Sequence, residues 1–171
     1  MSNERFVVVN VYNDVLKIHI RQYEVNPANG KSFPTRVGTC MTPTRFANFY
    51  SLLVPILDEV VKLRDGEDVD FMKHIGGGVY VTVKSGFECV NLRQYFLPPG
   101  NEKEVPTRQG IALRLPEWDR LLEHMDAIRM SSKEIEDAKQ CFLSDDHMNI
   151  MGWINCRECN AFPQKDTTGH V

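Results

Sequence analysis

The sequence predicts an α+β protein of two tandem units, each running β-β-β-β-α with antiparallel sheets, and three observations predict it. Residues 7 to 38 align with 79 to 110 at an offset of 72 without a gap, and 13 of the 32 pairs are identical, where background composition gives roughly two. Within each copy apolar residues first alternate with period two. They then recur at helical spacing.

Each copy opens on an alternating run, Phe6 to Tyr12 and Val79 to Lys84. The turn signals Asn13-Asp14 and Ser85-Gly86 then lead into a second strand, which makes a hairpin. That second strand alternates Leu16, Ile18, Ile20 in one copy and Val90, Leu92 in the other. Arg21 and Arg93 therefore fall out of phase with the core and face away from it, with Tyr23 and Tyr95 on the same side. A loop rich in Asn, Pro and Gly follows, then Phe33 to Met41 and Val105 to Leu115, each interrupted by Pro-Thr-Arg-x-Gly. Proline and glycine at that point are expected to bend or split the strand into two.

Thr42 before Pro43 caps one helix, and Pro116 occupies an early helical position in the other. Phe46, Phe49, Leu53 and Ile56 share one helical face, as do Trp118, Leu121, Leu122, Met125 and Ile128. Pro55 lies inside the first of these patterns, where an internal proline costs about 3 kcal/mol, so that helix should kink or break. The resulting organisation is a first unit at 1–61, a charged, glycine-ended linker at 62–77, a second unit at 78–130 and a tail at 131–171. Ser131 with Glu134 offers a capping box for one more helix to about Leu143, and the rest of the tail reads as loose.

Charge limits the functional classes. The net charge is −3, which argues against coating nucleic acid through bulk positive charge. Residues 1–61 hold six basic and five acidic groups, 78–130 seven of each, and 131–171 four basic against seven acidic. The excess acid lies in the tail, so a nucleic-acid site would have to be a local stripe of arginine and lysine. No apolar run approaches the roughly 20 residues of a membrane span, and the first residues lack a signal-peptide pattern. An intracellular protein without a membrane partner is expected. Five scattered cysteines predict reduced thiols rather than a disulfide framework.

Enzymatic chemistry finds little support. Gly76-Gly77-Gly78 lacks the Lys-Ser/Thr of a phosphate loop, His19 and His74 stand alone, and no paired carboxylates emerge. Cys156-Arg157-Glu158-Cys159 has the gap of a zinc knuckle, with His147 and His170 as possible further ligands. A second Cys pair is missing and the spacing to either histidine matches no common finger. The expectation is no cofactor and no metal, with reduced thiols in a flexible tail.

The segments Asn91-Leu92-Arg93-Gln94-Tyr95-Phe96, Pro106-Thr107-Arg108-Gln109-Gly110-Ile111-Ala112-Leu113 and Pro116-Glu117-Trp118 together resemble the positive cofactor four family of RNA polymerase II transcriptional coactivators. The resemblance covers about residues 78–128, and through the repeat it extends more weakly to 6–61. It implies units that pair through their helices, with curved β-ribbons forming channels for single-stranded or melted DNA. Two units in one chain would then form an intramolecular pseudodimer, which is favoured over a homodimer because the 16-residue linker can span roughly 50 Å. Transcription machinery is the implied partner and the nucleus the implied location, without distinguishing a cellular from a viral source.

By motif position, Arg93, Tyr95, Phe96 and Arg108 in the second copy resemble the family's contacts, with Arg21 and Arg36 in the first and Lys84 as a looser match. Phe96 beside Arg93 suits stacking on a base, worth about 1–3 kcal/mol, or it packs under the Pro98-Pro99 loop. Tyr23 and Tyr95 are expected to make structural hydroxyl contacts at the channel wall, with nucleic-acid contact as the other reading. The first copy departs from the family with Glu24 after its tyrosine, and Val37 and Gln109 replace a second basic residue. The function expected is sequence-nonspecific binding of single-stranded DNA in transcription or in replication and repair, with RNA as a variant. An assembly scaffold whose nucleic-acid binding has decayed is the alternative.

Overall fold

The computed structural model describes residues 4–162. It is an α+β arrangement with two antiparallel sheets. The first holds β1 (Glu4–Tyr12), β2 (Val15–Val25) and β3 (Ser32–Met41). It is followed by α1 (Pro43–Ser51) and α2 (Leu53–Arg64). The second holds β4 (Asp70–Gly76), β5 (Val79–Lys84), β6 (Cys89–Phe96) and β7 (Val105–Arg114), followed by α3 (Leu115–Met130). The offset of the sequence repeat carries β1, β2 and β3 onto β5, β6 and β7, and it carries Pro43, where α1 begins, onto Leu115, where α3 begins.

Three expectations are corrected. The segment read as a linker holds the end of α2 and the whole of β4, an added edge strand paired with β5 from Asp70↔Lys84 to Gly76↔Val79. The strands carrying Pro-Thr-Arg-x-Gly are not split, because β3 and β7 each run on for 10 residues. The first unit therefore has three strands and the second has four. The hairpins also differ. Asn13 and Asp14 both take positive φ, 50° and 59°, which closes a two-residue turn of the twist-matched kind. In the second hairpin only Gly86 does so, and residues 85–88 stay outside the strands. Ser85 is held there by Val69, with its amide donating to the Val69 carbonyl (2.8 Å) and its hydroxyl accepting from the Val69 amide (2.7 Å).

The first-unit helix breaks, as its proline requires. Leu52 separates α1 from α2, which places Pro55 in the first turn of α2, where a missing N–H leaves no hydrogen bond unmade. At the start of α1 the Thr42 hydroxyl accepts from the Arg45 amide at 3.3 Å, with Pro43 opening the helix. At the start of α3 the Glu117 carboxylate accepts from the Arg114 amide at 2.8 Å. It also pairs with Arg5, whose guanidinium donates to the Ala112 carbonyl at 2.5 Å. That contact fastens β1 to the second unit.

One hydrophobic core joins both sheets and the helices. Ile18, Ile20 and Met41 from the first sheet, Val81, Leu92 and Ile111 from the second, and Phe46, Phe49, Ile56, Trp118 and Met125 from the helices all belong to it. Leu53 and Leu122, which share the predicted helical faces, are only partly buried against it. The helices of the two units meet directly. Phe49 lies edge-on to Trp118 with centroids 6.1 Å apart, and the Arg64 guanidinium reaches Asp119 at 2.6 Å. Tyr50 donates to Asp126 at 2.5 Å while Arg129 lies 5.0 Å over the Tyr50 ring. No helix among the described residues is long and apolar enough to cross a membrane.

Beyond α3 the chain does not make the single helix that its capping residues suggest. Ser132 rather than Ser131 caps α4 (Lys133–Glu136), with its hydroxyl accepting from the Glu134 amide at 3.2 Å. Two 3₁₀ turns follow, Cys141–Leu143 and Asp145–His147, and then α5 (Ile150–Asn155). This part of the tail folds into a knob docked on α1 and the β4–β5 turn. Glu158 accepts from Arg45 Nε (3.1 Å) and Nη2 (2.6 Å), and its carbonyl accepts from the Gly77 amide at 2.9 Å.

Candidate nucleic-acid interface

The duplicated motif builds the same distortion in both sheets. Going from Arg21↔Gly38 to Tyr23↔Pro34, one residue of β2, Gln22, faces three of β3, Thr35, Arg36 and Val37. From Arg93↔Gly110 to Tyr95↔Pro106, Gln94 likewise faces Thr107, Arg108 and Gln109. Each is a β-bulge, which bends the strand and leaves the extra residues outside the ladder.

The residues of the motif account for the bulge one by one. The Thr35 hydroxyl donates to the Gln22 carbonyl (2.9 Å) and accepts from the Val37 amide (3.2 Å). Thr107 does the same with Gln94 (2.8 Å) and Gln109 (3.1 Å). The threonine carbonyls then accept from the strand arginines, Arg21 to Thr35 at 2.6 Å and Arg93 to Thr107 at 2.9 Å. Glycine closes the bulge because the opposing strand passes too near for a side chain. A Cβ at Gly38 would lie 2.8 Å from the Ile20 carbonyl oxygen, and at Gly110 2.5 Å from that of Leu92.

This geometry divides the predicted contact residues. Arg21 and Arg93 are half-buried and brace the bulge through one guanidinium N–H each, so their recurrence has a structural cause. Arg36 and Arg108 sit at the middle of each bulge. Both are exposed, with no ion-pair or hydrogen-bond partner among the described residues. They are also carried on strands that pack beside each other, β3 against β7. Phe96 is 46% exposed, open to a stacking partner. Its repeat counterpart Glu24 is exposed as well.

Two predicted contacts sit in less open surroundings than the others. Tyr95 is only 8% exposed, its ring lying 4.9 Å from that of Tyr80, so no open face remains for a base. The Tyr80 hydroxyl, bonded to Glu104 at 3.1 Å, has its pKa pushed up to about 12 by burial and by that carboxylate. Lys84 pairs with Asp70 at 3.1 Å, because β4, read from sequence as linker, brings that acid beside it. Such an exposed pair is worth about 0–1 kcal/mol, but it offsets the charge that Lys84 would offer to phosphate. In the first unit Tyr23 meets Phe6 edge-on at 5.3 Å.

His74 ends the row of rings, 5.0 Å from Tyr80. Its Nε2 accepts from the Gly78 amide at 2.9 Å, which requires the neutral imidazole. Burial is the main cause that lowers its pKa below 6.5, aided by Arg45 from α1 and opposed by Glu158 and Glu104. The unfolded chain therefore takes up this proton first. The stability His74 contributes is complete above about pH 6.5 and is lost as the pH falls through the lowered folded value. The protection factor of the Gly78 amide, its exchange rate relative to that of the unstructured amide at the same pH, should fall on acidification below about pH 6.5, and His74→Gln should flatten that response. A protection factor indifferent to pH in the wild type would contradict it.

The tail knob holds a cluster of which the sequence supplied three members, His147, Cys156 and Cys159, and not the fourth, Cys141. Cys141 and His147 join Cys156 and Cys159, with all four candidate ligand atoms within 4.8 Å of one another. Burial pushes the Cys156 thiol up, but the Cys159 and Glu158 backbone N–H groups, with Cys141 and His147, bring it down to about 7. Cys141 is pushed well up by burial and by Cys156 and Cys159. The signal was present as Cys141-x5-His147-x8-Cys156-x2-Cys159. His170, the other candidate, lies outside the described residues.

No protein-family model and no curated protein sequence matches the chain. A solved structure described as that of Trypanosoma bruciei MRP1/MRP2 is similar at 9% identity and a TM-score of 0.30, over 80% of this chain and 94% of that one. A similarity at that level carries no argument about function.

Proposed function

We propose that the chain binds single-stranded DNA without sequence preference, acting in transcription or in replication and repair. In this reading the two units form an intramolecular pseudodimer through their helices. The observation that carries it is the pair of matching bulges on neighbouring strands, each with an exposed arginine at its centre that has no partner among the described residues. Arg36 and Arg108 supply the phosphate contacts, which are electrostatic and indifferent to base identity. Phe96 supplies a stacking surface in the second unit, and every base offers a π-face to it. Glu24 at the matching position of the first unit repels phosphate, so the second unit dominates. RNA is a variant ligand, since stacking and phosphate contact do not separate it from DNA.

Fluorescence anisotropy with a labelled mixed-sequence oligonucleotide at low salt tests this reading. The single strand should bind more tightly than the duplex of the same sequence, because only unpaired bases expose the faces that Phe96 needs. The burial of Tyr95 and the bracing role of Arg21 and Arg93 favour a second reading, an assembly scaffold whose motif survives to shape the sheets. A chain that retains no oligonucleotide at low salt, yet purifies as a defined oligomer, would replace the first reading with the second.

A further inference from the structure

The C-terminal knob has no core of its own. Between 141 and 162 no residue is fully buried, and Met148, Ile150 and Met151 are 86%, 70% and 61% exposed. Apolar burial cannot order such a segment, and small elements of this kind are held by a cross-link or a metal. What converges inside the knob is three thiols and one imidazole. Cys141 Sγ lies 3.5 Å from Cys156 Sγ and 3.8 Å from His147 Nε2, and Cys159 Sγ lies 3.4 Å from His147 Nε2. A tetrahedral zinc with bonds of about 2.3 Å to sulfur and 2.0–2.1 Å to nitrogen separates its ligand atoms by about 3.6–3.8 Å.

We infer that Cys141, His147, Cys156 and Cys159 form a structural zinc site that clamps the tail onto α1 and the β4–β5 turn. The surroundings are those of such a site. The Ser144 hydroxyl sits on His147 Nδ1 and thereby directs Nε2 at the sulfurs, the usual orienting arrangement for a ligand histidine. Asn149 caps α5 by accepting from the Gly152 amide at 2.7 Å. A side chain at Gly152 would collide with the Asp146 carbonyl, so the approach of α5 to the His147 turn is tightly defined. Three thiolates and an imidazole fill all four positions of the tetrahedron, which is the closed set of a structural rather than a catalytic zinc.

The site also explains how the knob reaches the rest of the fold. The Cys141 amide donates to Asn48 Oδ1 at 3.3 Å, and Asn48 Nδ2 donates to the Ile75 carbonyl at 2.8 Å. Glu158, inside the Cys-x-x-Cys turn, holds both Arg45 and the Gly77 amide. Metal ligands thus alternate with docking residues, and ordering one set orders the other. This inference is independent of nucleic-acid binding.

Elemental analysis of the full-length protein, purified without chelator, should find one zinc per chain. Cobalt substitution should give the visible absorption of a tetrahedral thiolate-rich site. Cys156→Ser/Cys159→Ser should lose the metal, and hydrogen exchange should then rise over 141–160 and at the Gly77 amide while the β6–β7 ladder stays protected. Chelation of the wild type should produce the same exchange pattern, which separates loss of metal from misfolding of the variant. Metal-free protein whose mass is lower by two hydrogens would show a disulfide in place of the metal and overturn the inference. Zinc retained in full by the double variant would overturn it equally.

Discussion

Replacing Trp118 with alanine should lower the stability of the chain by about 3–5 kcal/mol, the range for emptying a buried large aromatic site. Trp118 is fully buried in the one core that both sheets share, edge-on to Phe49 of α1. Removing it cuts the contact between the helices of the two units and opens a cavity in that core. Most domains have only about 5–15 kcal/mol to lose, so the denaturation midpoint should drop steeply. A near-unchanged slope would mark a loss of stability rather than a change of folded state. Trp118→Phe provides the control. The indole N–H has no hydrogen-bond partner among the described residues, so a phenyl ring removes an unsatisfied donor while keeping the aromatic contact, and it should cost far less. Equal losses for the two substitutions would show that the Phe49 contact contributes little.

Gly110→Ala should damage the second sheet strongly. Its Cβ would sit 2.5 Å from the Leu92 carbonyl oxygen and 2.8 Å from the Arg93 Cα, both backbone atoms that cannot rotate away. Overpacking of a well-fitted site costs typically 1–3 kcal/mol, and here relief requires opening the β6–β7 ladder at the bulge itself. At Gly38 the nearest atoms are the Ile20 carbonyl oxygen at 2.8 Å and the Arg21 Cβ and Cγ at 2.9 Å. The same substitution there should destabilise somewhat less, since the nearest backbone atom lies at 2.8 Å rather than 2.5 Å. Because the bulge places Arg108, Gly110→Ala should also weaken oligonucleotide binding. Thermal unfolding of both variants and one anisotropy titration decide the point. Binding that survives a collapsed bulge would detach Arg108 from the site.

The same motif shows what the sequence could and could not convey. Self-similarity at one offset made the two units legible, and the β2–β3 and β6–β7 ladders repeat residue for residue at that offset. Alternation placed Ile18, Ile20, Val90 and Leu92 in the core, and Pro55 foretold the break between α1 and α2. The added strand β4 was not legible, because Asp70, Lys73 and His74 disguise an edge strand as a charged connection. Lone residues with structural duties were also hard to read. Arg21 and Arg93 look like exposed ligands in a linear pattern, and only the bulge shows that each spends an N–H on a threonine carbonyl. Cys141 was not joined to Cys156, Cys159 and His147 for a related reason. Cys141 precedes the Cys-x-x-Cys pair by 15 residues, and two 3₁₀ turns and a short helix, none with a strong sequence signal, are needed to bring them together.

The salt dependence of single-strand binding in the variant Arg36→Ala/Arg108→Ala tests the central claim most directly. Each phosphate contact on a single strand contributes about 0.7 to the slope of log affinity against log salt. Losing both arginines should weaken binding and flatten that slope by about 1.4 relative to the wild type. Both residues are exposed and have no partner among the described residues, so the variant should unfold at the wild-type midpoint. An unchanged slope in a fully folded variant would contradict the account and leave the two bulges as devices of the fold alone.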